Sequence, residues 1–121
     1  DHAPHRLTRD VVVYTGTHDN DTSRGWLASR DADERARVLE YVGGEPGEIA
    51  WSLIRVAMTS VADVAILPLQ DLLDLDASAR MNLPGIADGN WGWRAPEGAL
   101  SDALARRIRR LGEMSGRVAD C

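Results

Sequence analysis

The stretch Val11-Val12-Val13-Tyr14-Thr15-Gly16-Thr17-His18-Asp19-Asn20-Asp21-Thr22 decides how the rest of this chain is read. It opens with three β-branched side chains and an aromatic one, continuous rather than alternating. Such a run suits a strand covered on both faces, as in a parallel sheet. Gly16 ends the run. Thr17 to Thr22 is then too rich in helix-capping residues to continue a strand.

Helical signals follow. A short helix is expected from Asp21 or Thr22, carrying Trp26 and Leu27. A second is expected over 32–42, with Asp31 as its cap, Glu34 at capping-box spacing and Gly43-Gly44 as its stop. A third is expected over about 47–60, because Ile49, Ala50, Leu53, Ile54, Ala57, Met58 and Val61 recur at helical spacing on one face. Asp63 leads into Val64-Ala65-Ile66-Leu67-Pro68-Leu69, the second buried-strand candidate. Pro68 cannot donate to a ladder and marks its end. Strand, long helical connection, strand is the pattern of a right-handed βαβ crossover with parallel neighbours. The expectation is an α/β fold in which 11–15 and 64–69 pair in parallel and the helices between 21 and 60 cover one face.

Beyond the second strand, Gln70 to Leu75 reads as a helical turn. Residues 81–98 hold glycine, proline, asparagine and two tryptophans, which exclude a regular helix. Ser101 can cap a last helix running to about Ser115. Leu100, Leu104, Ile108 and Leu111 mark its apolar face, and Arg106, Arg107, Arg109 and Arg110 its solvated side. No repeat or low-complexity tract is present.

Composition narrows the function. The chain has 121 residues with 14 basic and 19 acidic groups, a net charge of −5. That balance argues against a nucleic-acid binder, which needs a basic face. No apolar run approaches the roughly 18 residues of a membrane span. A single cysteine, Cys121, permits no intrachain disulfide and no cysteine cluster, and reads as an exposed terminal thiol. The chain opens Asp1-His2-Ala3-Pro4-His5-Arg6, without an initiator methionine or a signal-peptide apolar region. Two strands do not make a stable sheet core by themselves. Residues 1–121 are therefore expected to be part of a larger single domain.

Four places carry candidate chemistry. His18-Asp19 follows a strand end, the edge where α/β architectures bind ligands. A carboxylate and an imidazole there can hold hydroxyls or steady positive charge; Asp19 can equally be a helix cap. Gln70-Asp71 follows the second strand and faces the same edge, or serves a turn. Asn82, ahead of the Pro84-Gly85 turn, can aim an amide at a ligand. Trp91 and Trp93 flank Gly92 and point to similar sides if the chain is extended; they either stack on a ligand or anchor the loop. A metal site is disfavoured, because no histidine follows His18 to complete a ligand set.

In their order and spacing these segments resemble the 4-α-glucanotransferases of the amylomaltase type, glycoside hydrolase family 77 of the α-amylase clan. Residues 12–22 are similar to that family's seventh-strand signature and residues 66–73 to its eighth strand. Arg80-Met81-Asn82-Leu83-Pro84-Gly85 and Gly89-Asn90-Trp91-Gly92-Trp93-Arg94 are similar to its late active-site loops. The resemblance implies the C-terminal portion of a (β/α)8 TIM barrel, a fold of roughly 250 residues, with strands 7 and 8, their helices and late loops and no separate second domain. It implies retaining transglycosylation between maltodextrins, with an α-1,4-glucan or maltooligosaccharide as partner, no cofactor, no metal, no nucleic acid, no membrane and a cytoplasmic location. The family's Asp nucleophile and Glu acid/base belong to earlier strands, so this chain by itself is expected to be inactive. Asp19 matches the third carboxylate, the transition-state stabiliser, and His18 its hydroxyl-binding neighbour. Gln70 and Asn82 are expected to reach the same sugar. Ile86 departs from the family, which often has a small hydroxylated residue after Pro-Gly. The alternative is a non-catalytic structural or carbohydrate-contacting piece.

Overall fold

The computed structural model of the chain describes residues 3–118; Cys121 and its expected exposure lie outside them. Two strands, β1 (Val12–Tyr14) and β2 (Val64–Ile66), pair in parallel, with Val12 opposite Val64, Val13 opposite Ala65 and Tyr14 opposite Ile66. Both are shorter than the apolar runs that contain them. β2 stops two residues before Pro68, which has no N–H for a ladder and instead begins the next helix.

Three helices connect the strands: α1 (Ser23–Ala28), α2 (Ala32–Val42) and α3 (Ile49–Thr59). Each start has a local cause. Thr22 caps α1, its hydroxyl accepting from the Gly25 N–H at 3.1 Å. A Cβ at position 25 would stand 2.8 Å from Asp21 Cγ, so any larger residue there must displace the Asp21 carboxylate. Asp31 caps α2 by accepting from the Glu34 N–H at 2.8 Å, and Gly43 ends it in the left-handed region at φ 69°. α3 begins at Ile49, the first residue of the apolar periodicity and two after the expected start at about 47, because Pro46–Glu48 forms a separate 3₁₀ turn. After β2 come α4 (Leu69–Leu72), a 3₁₀ turn over Ala77–Ala79, the irregular run through 81–98, and α5 (Asp102–Met114). Ser101 caps α5, accepting from the Leu104 N–H at 3.2 Å.

α3 is the centre of the packing and touches all four other helices. Ile49, Ala50, Ile54, Ala57 and Met58 on it are buried. Ile54 and Met58 join Leu111 of α5 in the core, flanked by Trp51, Ala65, Leu67 and Leu72. Complete burial of a side chain like Ile54 stabilises the fold by about 1.5–3 kcal/mol. Arg117 closes the far end of α3: its guanidinium donates to the carbonyls of Met58 (2.7 Å) in the last turn, Ser60 (3.1 Å) at the cap and Ala62 (2.8 Å) beyond it.

Three expectations change here. Val61 and Leu100 belong to no buried face, being 59% and 79% exposed. Each lies just outside a cap, Ser60 and Ser101, whose extended backbone carries the chain off the helical phase. Arg107 is not simply solvated, since its guanidinium carbon stands 3.7 Å from the centroid of the Trp51 ring. The sheet is covered on one face only. Ala65 packs on the core, and Val13 shares that face by register. Val12, Tyr14, Val64 and Ile66 form the opposite face and are 46–47% exposed. Among the described residues about half of each of these side chains stays uncovered.

Candidate functional site

The loop from Thr15 to Thr22 leaves the C-terminal end of β1. Its turn is closed by Asn20, whose Oδ1 accepts from the Thr17 N–H at 2.8 Å and the Thr17 hydroxyl at 3.0 Å. Thr22 caps α1, and Asp21 Oδ1 accepts from the Thr22 N–H at 2.7 Å. The local needs of turn and helix are thus met without Asp19. Its half-exposed carboxylate is aimed elsewhere: Oδ1 accepts from Asn82 Nδ2 at 2.7 Å and lies 3.4 Å from His18 Nε2.

The loop after β2 supplies the other side. The Asn82 N–H donates to the His18 carbonyl at 3.1 Å. Arg80 spans both loops, donating from Nη2 to the Asp19 carbonyl at 2.7 Å and from Nε to the Asn82 carbonyl at 2.9 Å. Beyond Asn82, Gly85 at φ 83° and a bond from the Ile86 N–H to the Leu83 carbonyl at 3.3 Å make the turn that Pro84-Gly85 calls for. Asn90 holds the loop shut, accepting from the Leu83 N–H and donating to the Ile86 carbonyl, both at 2.8 Å. The Trp91 N–H then bonds the Met81 carbonyl at 2.7 Å. Trp91 has φ 60°, so the extended backbone on which Trp91 and Trp93 would share a side is not present. Its ring lies 5.0 Å from the His18 imidazole, tilted by 38°.

His18, Asp19 and Asn82 are therefore in direct contact. Gln70 borders the same cavity as His18, a space of about 440 Å³, and its Nε2 donates to the Ala79 carbonyl at 3.3 Å. Asp71, its neighbour, is 2% exposed and takes a different place. It accepts from the Thr15 hydroxyl at 2.6 Å and from the Ser23 N–H and hydroxyl at 2.8 Å each. One buried carboxylate thus ties down both ends of the loop that carries His18 and Asp19. The sequence marks Asp71 as a strand-end neighbour of Gln70 and Arg80 as the start of the Asn82 segment, but not their tying roles, because the bonds that do the tying reach partners 48 to 61 residues away.

This arrangement suits hydroxyl recognition. A carboxylate accepts on two oxygens, and an imidazole offers one further donor or acceptor. With Oδ1 oriented by Asn82, the His18-Asp19 pair presents a polar edge beside the indole of Trp91. Among the described residues no group of three or more His, Cys, Asp or Glu is gathered to hold a metal ion. No helix among them is long and apolar enough to cross a membrane.

Comparison with known proteins bears on the same residues. A family model described as 4-alpha-glucanotransferase matches residues 1–101. The 4-alpha-glucanotransferase of Synechocystis sp. is 51% identical over 109 residues, which cover 89% of this chain and 22% of that protein. The chloroplastic/amyloplastic 4-alpha-glucanotransferase of Arabidopsis thaliana is 45% identical, over 97% of this chain and 21% of its own length. An amylomaltase from Streptococcus agalactiae, solved in complex with acarbose, superposes with a TM-score of 0.90 at 31% identity, covering 96% of this chain and 24% of that one. The chain thus spans about a fifth of the length of the curated relatives it matches.

Proposed function

This chain belongs to the 4-alpha-glucanotransferases of glycoside hydrolase family 77, and from that premise we propose that it supplies part of the sugar-binding edge of a retaining transglycosylase acting on α-1,4-glucans. Its strand pair takes the place of strands 7 and 8 in the C-terminal portion of a (β/α)8 barrel. Two features support that placement: the parallel crossover and the apolar sheet face formed by Val12, Tyr14, Val64 and Ile66, which suits a barrel interior.

Asp19 is the transition-state stabiliser. The observation that carries this assignment is the 2.7 Å bond from Asn82 Nδ2, which fixes the carboxylate beside His18, a residue of the cavity wall, while Thr22 does the capping. His18, Gln70 and Asn82 bind substrate hydroxyls around it. As the donor sugar flattens and becomes cationic, a negative group already held in place gains more than it does in the ground state. Retaining transfer also needs a nucleophile and an acid/base roughly 5–5.5 Å apart. We assign neither role to a residue of this chain: Asp21 is engaged with the start of α1 and Asp71 is buried. The 121 residues by themselves should accordingly release no glucose from maltotriose.

The test is Asp19→Asn in the full-length protein. It should lower kcat about a hundred- to a thousand-fold, or about 3–4 kcal/mol, with a much smaller change in KM. His18→Ala removes a hydroxyl contact but no negative charge, and should cost less. An Asp19→Asn enzyme with wild-type kcat overturns the assignment.

A further inference from the structure

Among the four tryptophans, Trp91 is the one left exposed; Trp26, Trp51 and Trp93 are all partly buried. Trp51 flanks the core beneath Arg107, and Trp26 lies half-buried near Arg30. Trp91 is 54% exposed. It also occupies the left-handed backbone region, which a bulky side chain rarely adopts; among the described residues only Asp74 and Trp91 do so without being glycine. The bond from its N–H to the Met81 carbonyl and the Asn90 clasp hold it there. Strain of this kind persists only where the surroundings over-determine it, and it collects at functional sites. Here it brings no burial. What it achieves is to set an indole against the cavity, 5.0 Å from the imidazole of His18.

We infer that Trp91 is a specificity-determining residue, its indole serving as the platform on which a glucose unit stacks while His18 and Asp19 hold that unit's hydroxyls. This rests on the glucan reading given above. A pyranose has a C–H face and a hydroxyl rim. The indole is itself in ring contact with the His18 imidazole, and the exposed half that the imidazole leaves uncovered is a flat apolar surface next to that polar edge. One sugar can therefore use both. A ligand without a C–H face, or one whose ring is substituted on that face, loses the platform while keeping the hydroxyl contacts.

The experiment compares Trp91→Ala, Trp91→Phe and Trp91→Leu in the full-length enzyme, with maltotriose as substrate. Melting temperature and quenching of tryptophan fluorescence by maltooligosaccharide are followed in parallel. Trp91→Ala should raise KM about tenfold, the worth of one aromatic contact, and lower kcat by less. Phe, which keeps a flat face, should restore most of the loss; Leu, apolar but not flat, should restore little. Unchanged KM in the Ala variant overturns the inference, as does a fall in kcat at constant KM, which would mean that the indole only orients His18. If the Ala variant does not fold, the Phe–Leu contrast decides, and equal KM values for those two overturn it. A wild-type enzyme with no glucan transfer refutes the glucan reading instead. The fluorescence titration still tests the platform in that case: sugar-dependent quenching must disappear with Trp91.

Discussion

Replacing Asp71 by alanine removes the one group that joins the end of β1, the start of α1 and the body of α4. The carboxylate is 2% exposed and accepts three hydrogen bonds, from the Thr15 hydroxyl (2.6 Å), the Ser23 N–H (2.8 Å) and the Ser23 hydroxyl (2.8 Å). After truncation two hydroxyls and one amide face a small void. Each buried donor left unsatisfied costs about 1–3 kcal/mol, and hydroxyls recover part of that by rotating. The sum is about 4 kcal/mol, a large share of the 5–15 kcal/mol typical of a folded domain. Asp71→Asn keeps one accepting oxygen but turns an NH₂ toward the other donors. The hydroxyls can reverse to accept from it, so about 2 kcal/mol is expected. Urea unfolding followed by tryptophan fluorescence measures both. The midpoint should fall in the order wild type, Asn, Ala, with unchanged slope. A loss below about 1 kcal/mol for Asp71→Ala would show that water replaces the carboxylate and that this network does not hold the loop.

Two smaller tests follow from the same geometry. Gly25→Ala places a methyl group against the Asp21 carboxylate, 2.8 Å from its Cγ, and should destabilise the fold by about 1–3 kcal/mol in a thermal melt. The Ser78 hydroxyl and N–H hold the Asp76 carboxyl below its ordinary value of 3.8. A depressed carboxyl stabilises the fold above its unfolded value and loses that contribution as pH falls through its folded one. Ser78→Ala should therefore raise the Asp76 titration toward 3.8, as read by NMR.

Much of the scaffold was legible in the residues because its causes are local. Asp31 and Gly43 delimit α2 by chemistry that operates within a turn of the helix, and the bounds 32–42 agree with it. The parallel pairing of 12–14 with 64–66 follows from two continuous apolar runs joined by helices. Coverage on both faces did not follow, because whatever meets Val12 and Tyr14 is not among the described residues. At the site, the family's motif pointed to His18 and Asp19, and the strand ends to Gln70. The contacts of Arg80 and Asp71 run between distant segments and leave no periodic trace. The left-handed backbone of Trp91 was not legible, because alternation across a glycine carries no information about φ.

The strand pair has a further consequence for how this chain behaves. Among the described residues β1 and β2 form a sheet only with each other, so each presents an outer edge free to pair, next to an apolar face. No charge, bulge or proline within Val12–Tyr14 or Val64–Ile66 blunts those edges. Such an edge is a template that accepts another strand in register. In a closed barrel both edges would be occupied by neighbouring strands. Without such neighbours the edges are open to any extended segment within reach, a second copy included, and the residues that would complete a barrel are the same six that would recruit it.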